Sequence, residues 1–211
     1  MNGRDFTLEL AEMFTKGGYV MYLLLICSII VVAIGIERFR FYKYASNNGE
    51  NFLQQVSERV NNQRDAEEIL SFCRGEKGNA GAILRVGLEA LINGKNVELA
   101  VNTLYDEEAM KLRARLNYLS MIVTLAPLLG LLGTILGMIE AFNIFSIQAG
   151  QPLAITGGIG EALIATATGL CVAILALIVH TYFAQKLDEI LSEMEKAASI
   201  VLSMADERNK S

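Results

Sequence analysis

Proline is scarce, with two in 211 residues, and no run of alternating apolar and polar residues is long enough to make a strand. Those two absences point to a chain of helices. Cysteine is sparse and unpatterned: Cys27, Cys73 and Cys171 lie far apart, which excludes a disulfide framework or a zinc-binding spacing and leaves each as a small apolar residue. The formal charge of -5 excludes a generally basic nucleic-acid binder. Gly94-Lys95-Asn96 lacks the glycine spacing and the Ser or Thr of a phosphate loop, and no other soluble-enzyme motif is present. The single histidine, His180, falls near the end of an apolar run, where it reads as an interfacial residue rather than a proton relay.

Apolar residues, by contrast, are abundant and concentrated in three blocks: 19–36, 117–145 and 155–183. A spanning helix needs about 20 mostly apolar residues, so each block meets the criterion for a membrane crossing. Residues 1–18 carry Asp5, Glu9 and Glu12, and no small-residue cleavage site follows the first block, so that block reads as an uncleaved anchor. Of the 18 Lys and Arg, all but Arg4 and Lys16 fall within 37–116 or after the third block. The positive-inside rule therefore makes 37–116 and the tail 184–211 cytoplasmic, and places 1–18 and the loop 146–154 outside.

The first block ends in Glu37-Arg38-Phe39-Arg40-Phe41-Tyr42-Lys43-Tyr44, which reads as an interfacial anchor of basic and aromatic side chains. Ser46 to Gly49 reads as a turn. Amphipathic patterns then predict helices over about 50–60, 65–73 and 80–92, with Gly75 and Gly78 as breakers, Asn93-Gly94 as a stop and Asn96 as the next N-cap. From Val97 the pattern continues into the second block without a breaker, predicting one helix from Val97 to Phe145, about 70 Å long at 1.5 Å per residue. Pro127 within it removes a backbone donor and favours a kink. Pro152 suits the first turn of a last helix running to about Ala205, whose tail places Leu187, Leu191, Met194, Ala198 and Val201 on one stripe able to pack against the extension of the preceding helix.

Ionisable groups inside spans are expensive and point to function or to buried hydrogen bonding. Glu140 lies near the outer end of the second block, within reach of water. Glu161 lies deeper in the third. Ala126, Gly130, Gly133, Gly137 and Ala141 recur at spacings of three and four, so they share a side with Thr134. Ala162, Thr166, Gly169, Ala173 and Ala176 do the same on the third block. Gly133-x-x-x-Gly137 is the spacing that lets membrane helices approach closely. Thr134 and Thr166 reach similar depth on antiparallel helices, so the two faces either line a narrow passage, admit another helix, or merely pack while each threonine bonds its own i-4 carbonyl.

The segments Ala126-Pro127-Leu128-Leu129-Gly130-Leu131-Leu132-Gly133-Thr134-Ile135-Leu136-Gly137 and Gly158-Ile159-Gly160-Glu161-Ala162-Leu163-Ile164-Ala165-Thr166-Ala167-Thr168-Gly169-Leu170 closely resemble the MotA/TolQ/ExbB proton-channel family, the ExbB and TolQ branch most of all. The resemblance extends to the three-span layout and to Ile36-Glu37-Arg38-Phe39. It implies an all-α membrane protein of the bacterial inner membrane, a homopentamer whose second and third helices enclose a central pore and extend far into the cytoplasm. It further implies an ExbD- or TolR-like single-span partner in that pore, two copies in the usual assembly, with a TonB-like protein and membrane lipid as further contacts. Thr134, Thr166 and Glu161 match the family's pore threonines and transmembrane glutamate, and Gly130, Gly133, Gly137 and Gly169 are the packing glycines. No enzyme activity, cofactor or metal is expected; protons are the implied coupling ion, with bound lipid the remaining non-protein ligand. Thr168 has no role in this scheme.

The implied function is conversion of proton motive force into mechanical work, with an ExbB-type role in TonB-dependent outer-membrane transport favoured over a TolQ-type role in envelope integrity. A non-conducting membrane scaffold is the competing reading. A solute transporter is disfavoured, because three spans contain neither an inverted repeat nor a pair of broken helices.

Overall fold

The computed structural model describes residues 18–45, 49–62, 65–147 and 152–210. Within them the chain is helical: α1 Gly18–Ala45, α2 Gly49–Asn61, α3 Ala66–Cys73, α4 Asn79–Ile92, α5 Val97–Arg113, α6 Leu116–Ile147 and α7 Pro152–Lys210. No strand occurs among the described residues. Three stretches are long and apolar enough to cross a bilayer, within Gly18–Tyr42, Val97–Asn143 and Gly157–Arg208. Residues 1–17 of the predicted N-terminal segment 1–18, 46–48 of the predicted turn 46–49 and 148–151 of the predicted loop 146–154 lie outside the described residues.

The chain divides into two compact units. One comprises Met1–Gly35 and Leu116–Thr181, and the other Ile36–Arg115 and Tyr182–Ser211, so α1 and α7 contribute to both. In the first unit Leu24 and Val31 of α1, Leu119 and Ala126 of α6, and Ala176 of α7 are shielded almost completely. Ile29, Val32, Leu128, Leu132, Leu163, Ile174 and Ile178 point outwards and are exposed. Apolar side chains on the outside as well as the inside are what a helix in lipid requires, since lipid tails solvate Leu as well as a core does.

The second unit has a buried apolar core of its own. Ile69, Ile83, Leu84 and Leu88 are fully buried, and the breakers fall where the sequence places them. Gly94 adopts φ 64°, and the Lys95 and Gly94 amides donate to the carbonyls of Ala90 and Leu91 (2.9 and 3.2 Å), closing α4 with a left-handed cap. The Asn96 side chain accepts from the Leu99 amide at 2.9 Å and opens α5. Gly87 leaves room for Val201 of α7 and Val101 of α5, whose methyl carbons would lie 2.6 and 2.9 Å from an added Cβ. The tail of α7 thus packs on α4 and α5, and the Tyr105 hydroxyl donates to Glu195 at 3.0 Å. The stripe is wider than the predicted one: Ile190 and Ala197 are buried with Leu187, Leu191, Met194 and Val201, while Ala198 is only half-buried.

Two expectations require correction. The helix predicted from Val97 to Phe145 is interrupted at Ala114–Arg115, although KLRARL contains no breaker. The cause comes from α1. Arg38 donates from its Nη1 to the Lys111 and Leu112 carbonyls (3.3 and 3.2 Å), and the Tyr42 hydroxyl donates to Leu112 at 2.9 Å. These are the acceptors that a continuous α-helix would offer to the amides of Arg115 and Leu116. Side chains far away in sequence therefore end α5, a task normally left to a local residue.

The second correction concerns the same residues. Arg38 and Tyr42 are not simply surface anchors: they are 4 % and 3 % exposed, with the guanidinium carbon 5.1 Å from the Phe41 ring centroid and Tyr42 edge-on to Phe183 at 5.5 Å. Phe39 and Phe41 do remain exposed. Arg115 pairs with Glu37 beside this cluster.

Replacing both capping residues, Arg38→Leu with Tyr42→Phe, returns the two carbonyls to the backbone. Hydrogen exchange at the Arg115 and Leu116 amides is expected to slow, and unchanged rates would show that another force breaks the helix. A second prediction concerns Cys73, which is fully shielded and whose thiol is pushed up to about 11, first by burial, with Arg85 and Arg59 partly offsetting. At pH 8 only about one thiol in a thousand is then ionised, so alkylation should await unfolding. Since the folded thiol titrates above the unfolded one, its contribution to stability is intact below about pH 9 and declines as pH rises towards 11.

Candidate functional site

The site is built where α6 and α7 meet inside the first unit. Four glycines on these helices set how closely the backbones approach. A Cβ at Gly169 would lie 2.6 Å from the Ala126 carbonyl and 2.9 Å from the Gly130 Cα, and one at Gly130 would lie 3.0 Å from the Thr166 Cα. These obstacles are backbone atoms, which cannot swing away. Further along α6, a Cβ at Gly133 would meet Ala165 at 2.6 Å and one at Gly137 would meet Ala162 at 2.9 Å. Gly158, which sequence reasoning passed over, sits against Ala141 in the same way. Its only signal was its place one turn before Ala162 on the small-residue face.

The two small-residue faces therefore close on each other within one chain. Ala126, Ala141, Ala162 and Ala165 are all at most 3 % exposed, leaving no room between them for a passage or a further helix. That narrows the alternatives left open by the spacing.

The two threonines differ. Thr166 donates its hydroxyl across the interface to the Gly130 carbonyl at 2.9 Å, rather than to its own helix. A glycine carbonyl is reachable because nothing projects from its Cα. Thr134 lies one turn beyond Gly130, half-buried, and donates to the carbonyl of Leu131 at 2.6 Å, three residues back. Thr168 donates to its own i-4 carbonyl, Ile164, at 2.9 Å, so its hydroxyl is satisfied within α7. Glu161 lies on α7 five residues before Thr166, with its side chain outside the described residues. Glu140 is exposed on α6, and His180 is half-buried on α7. Pro127 falls inside α6, which continues through it. No cluster of His, Cys, Asp or Glu among the described residues could hold a metal ion.

Chemically, the arrangement places two hydroxyls and a glycine carbonyl in a short polar band between long apolar surfaces. A hydroxyl donates and accepts at once without carrying charge, so it can hand on a hydrogen bond at far lower cost than a carboxylate in the same medium.

The interface itself is open to test. Gly169→Ala should lower the melting temperature in detergent sharply, by about 1–3 kcal/mol equivalent, because helix backbones must separate, and Gly130→Ala, whose added carbon would sit 3.0 Å from the nearest main-chain atom, should lower it by less. Gly157→Ala, with nothing within 4 Å of the added carbon, should change little; equal effects at all three positions would contradict the packing.

Comparison with known proteins agrees with this architecture. The profile of the MotA/TolQ/ExbB proton channel family matches residues 76–196. The ExbB-like 1 protein of Synechocystis sp., named for biopolymer transport, is 36 % identical over 179 residues, covering 82 % of this chain and 70 % of that protein. The Tol-Pal system protein TolQ of Haemophilus influenzae is 30 % identical over 203 residues, covering 87 % of each. Another Synechocystis relative, ExbB-like 3, is 34 % identical over 183 residues, covering 79 % of this chain and 81 % of its own. With the matched profile spanning more than half the sequence and both glycine-threonine segments within it, the chain belongs to the MotA/TolQ/ExbB proton channel family.

Proposed function

We propose that this chain is the channel-forming subunit of an inner-membrane complex that turns proton motive force into mechanical work. Five copies surround a central axis, with Thr134 and Thr166 of each copy facing a hydrated interior and Glu161 as the ionisable group near them. Two copies of an ExbD- or TolR-like single-span protein occupy the axis. The observation that carries this reading is the polar band itself: Thr166 bridges to the Gly130 carbonyl, and Thr134 stands one turn away on the same helix, half-exposed at the edge of the packed interface.

The energetics are adequate for such a device. One charge moving through about 100 mV releases about 2.3 kcal/mol, several times thermal energy, provided the charge cannot leak past the step that it drives. Hydroxyls on the wall conduct a proton by exchanging hydrogen bonds while carrying no charge of their own. In this reading the N-terminus is periplasmic and the tail cytoplasmic, the orientation that the distribution of Lys and Arg favours.

Between the two cellular roles, energising TonB-dependent outer-membrane transport is favoured over Tol-type envelope maintenance. Relatives bearing both kinds of name match the chain, so the preference follows the resemblance of its two glycine-threonine segments to the ExbB branch alone. A TonB-like protein is then the recipient of the work. The scaffold reading keeps one supporting observation, the complete closure of the small faces on each other within a single chain.

Proton flux through vesicles containing the chain with its single-span partner separates these readings. Thr134→Val and Thr166→Val should each reduce flux about tenfold, equivalent to ~1.4 kcal/mol on the barrier. Thr166→Ser, which keeps the bond to Gly130, should retain it. Full flux in both valine variants would remove the threonines from the path and favour the scaffold.

A further inference from the structure

The buried glycine face does not account for the other polar residues of α6. At 100° per residue, Asn117, Ser120, Thr124, Pro127, Leu131 and Thr134 fall on one stripe, roughly a third of a turn round the helix from the face that packs on α7. Asn117, Ser120, Thr124 and Leu131 on this stripe are exposed, and Pro127 and Thr134 are half-buried. The chain therefore places an amide and three hydroxyls along a span, on a side its own helices leave uncovered.

Two features distinguish the lower part of this stripe from ordinary threonine chemistry in a membrane helix. Thr124 lies 3.4 Å from the Ser120 carbonyl, well beyond the usual O–H···O separation of about 2.7–2.8 Å. Thr168 and Thr134, by comparison, hold helix carbonyls at 2.9 and 2.6 Å. The Thr124 hydroxyl is thus poorly satisfied within its own helix. Beside it, Pro127 has no N–H to offer the Val123 carbonyl, so that acceptor lacks its helical donor. An under-bonded hydroxyl and an under-bonded carbonyl on adjacent residues are costly against lipid and well matched to water.

We propose that Ser120, Thr124 and the Val123 carbonyl form the cytoplasmic half of the ion path, carrying hydrated protons between the cytoplasmic face and Thr134. The inference rests on the reading that Thr134 faces a hydrated axis. Ser120 and Thr124 are one turn apart, about 6 Å along the helix, a gap that one water bridges with two ordinary hydrogen bonds. The next stage, from Thr124 to Thr134, is about 15 Å at 1.5 Å per residue and begins at the Val123 carbonyl. A file of waters fills it past Leu131, an apolar stretch that limits leak when the path is not engaged. Ser120 and Thr124 bind and orient water, and Thr134 remains the residue nearest the packed interface.

The test uses the full chain with its single-span partner in vesicles, read by an internal pH dye. The double variant Ser120→Ala, Thr124→Val should lower flux severalfold at unchanged complex size, while Thr124→Ser restores it. In a background lacking Cys27, Cys73 and Cys171, Thr124→Cys should react with a membrane-impermeant thiol reagent far faster than Met121→Cys, which lies about a sixth of a turn round the helix and is also exposed. Undiminished flux in the double variant, or equal labelling at 121 and 124, overturns the proposal. If Thr134→Val still reduces flux about tenfold in that event, the channel reading stands and only its cytoplasmic half is lost. Absence of flux in the parent complex overturns both.

Discussion

Everything in the membrane unit depends on the backbone of α6 lying directly against the backbone of α7. Gly130 and Gly169 meet with no side chain between them; a methyl group on Gly169 would collide with main-chain atoms, and one on Gly130 would press closely on them. Without lipid-phase hydrophobic force to drive helices together, such contact supplies dispersion and short polar bonds in its place. The Thr166 hydroxyl uses the opening, reaching the Gly130 carbonyl across an interface that any larger residue would hold apart. Close packing and the polar band are thus one feature. A helix with four glycines would be poor in water, each costing roughly 1 kcal/mol against Ala; here the glycines set the geometry on which the threonines rely.

The same economy of local signals appears in the second unit, but through a charged residue. Arg38 is buried, makes hydrogen bonds to two carbonyls of α5 and lies against an aromatic ring. Its Nε has no hydrogen-bond partner among the described residues. Hydrogen bonds to a charged donor contribute about 1.5–3 kcal/mol each, which offsets much of the desolvation of a guanidinium. The arginine and Tyr42 occupy the carbonyls at the end of α5, so a helix that its own residues would extend stops at Ala114–Arg115. The break is a tertiary feature written on α1.

That difference explains what could be read in advance. Breakers with local causes were legible to within a residue: the Gly94 left-handed cap, the Asn96 N-cap and the opening of α7 at Pro152 each carry their own chemistry. The interruption of the predicted Val97–Phe145 helix was not legible, because nothing in KLRARL encodes it. Arg38 and Tyr42 were visible as basic and aromatic residues at the end of an apolar run, but their inward orientation depends on α5 and on Phe183. For the candidate site, periodicity found the glycine faces and both threonines, yet could not say that the faces close on each other or that Thr166 bonds across while Thr134 bonds back. Gly158 lacked a residue of distinctive chemistry beside it. The family resemblance carried the assignment of Glu161, whose position alone left function and packing evenly matched.

In the proposed channel α6 has two duties on two sides, one glycine side given to α7 of the same chain and one hydroxyl side given to water. A density map of the chain with its single-span partner in a lipid nanodisc, sharp enough to separate solvent from acyl chains, tests that division most directly. It should show Gly130 against Gly169 within one subunit and solvent beside Thr134. Acyl density against Thr134, or Gly130 and Gly169 engaged with different subunits, would contradict it.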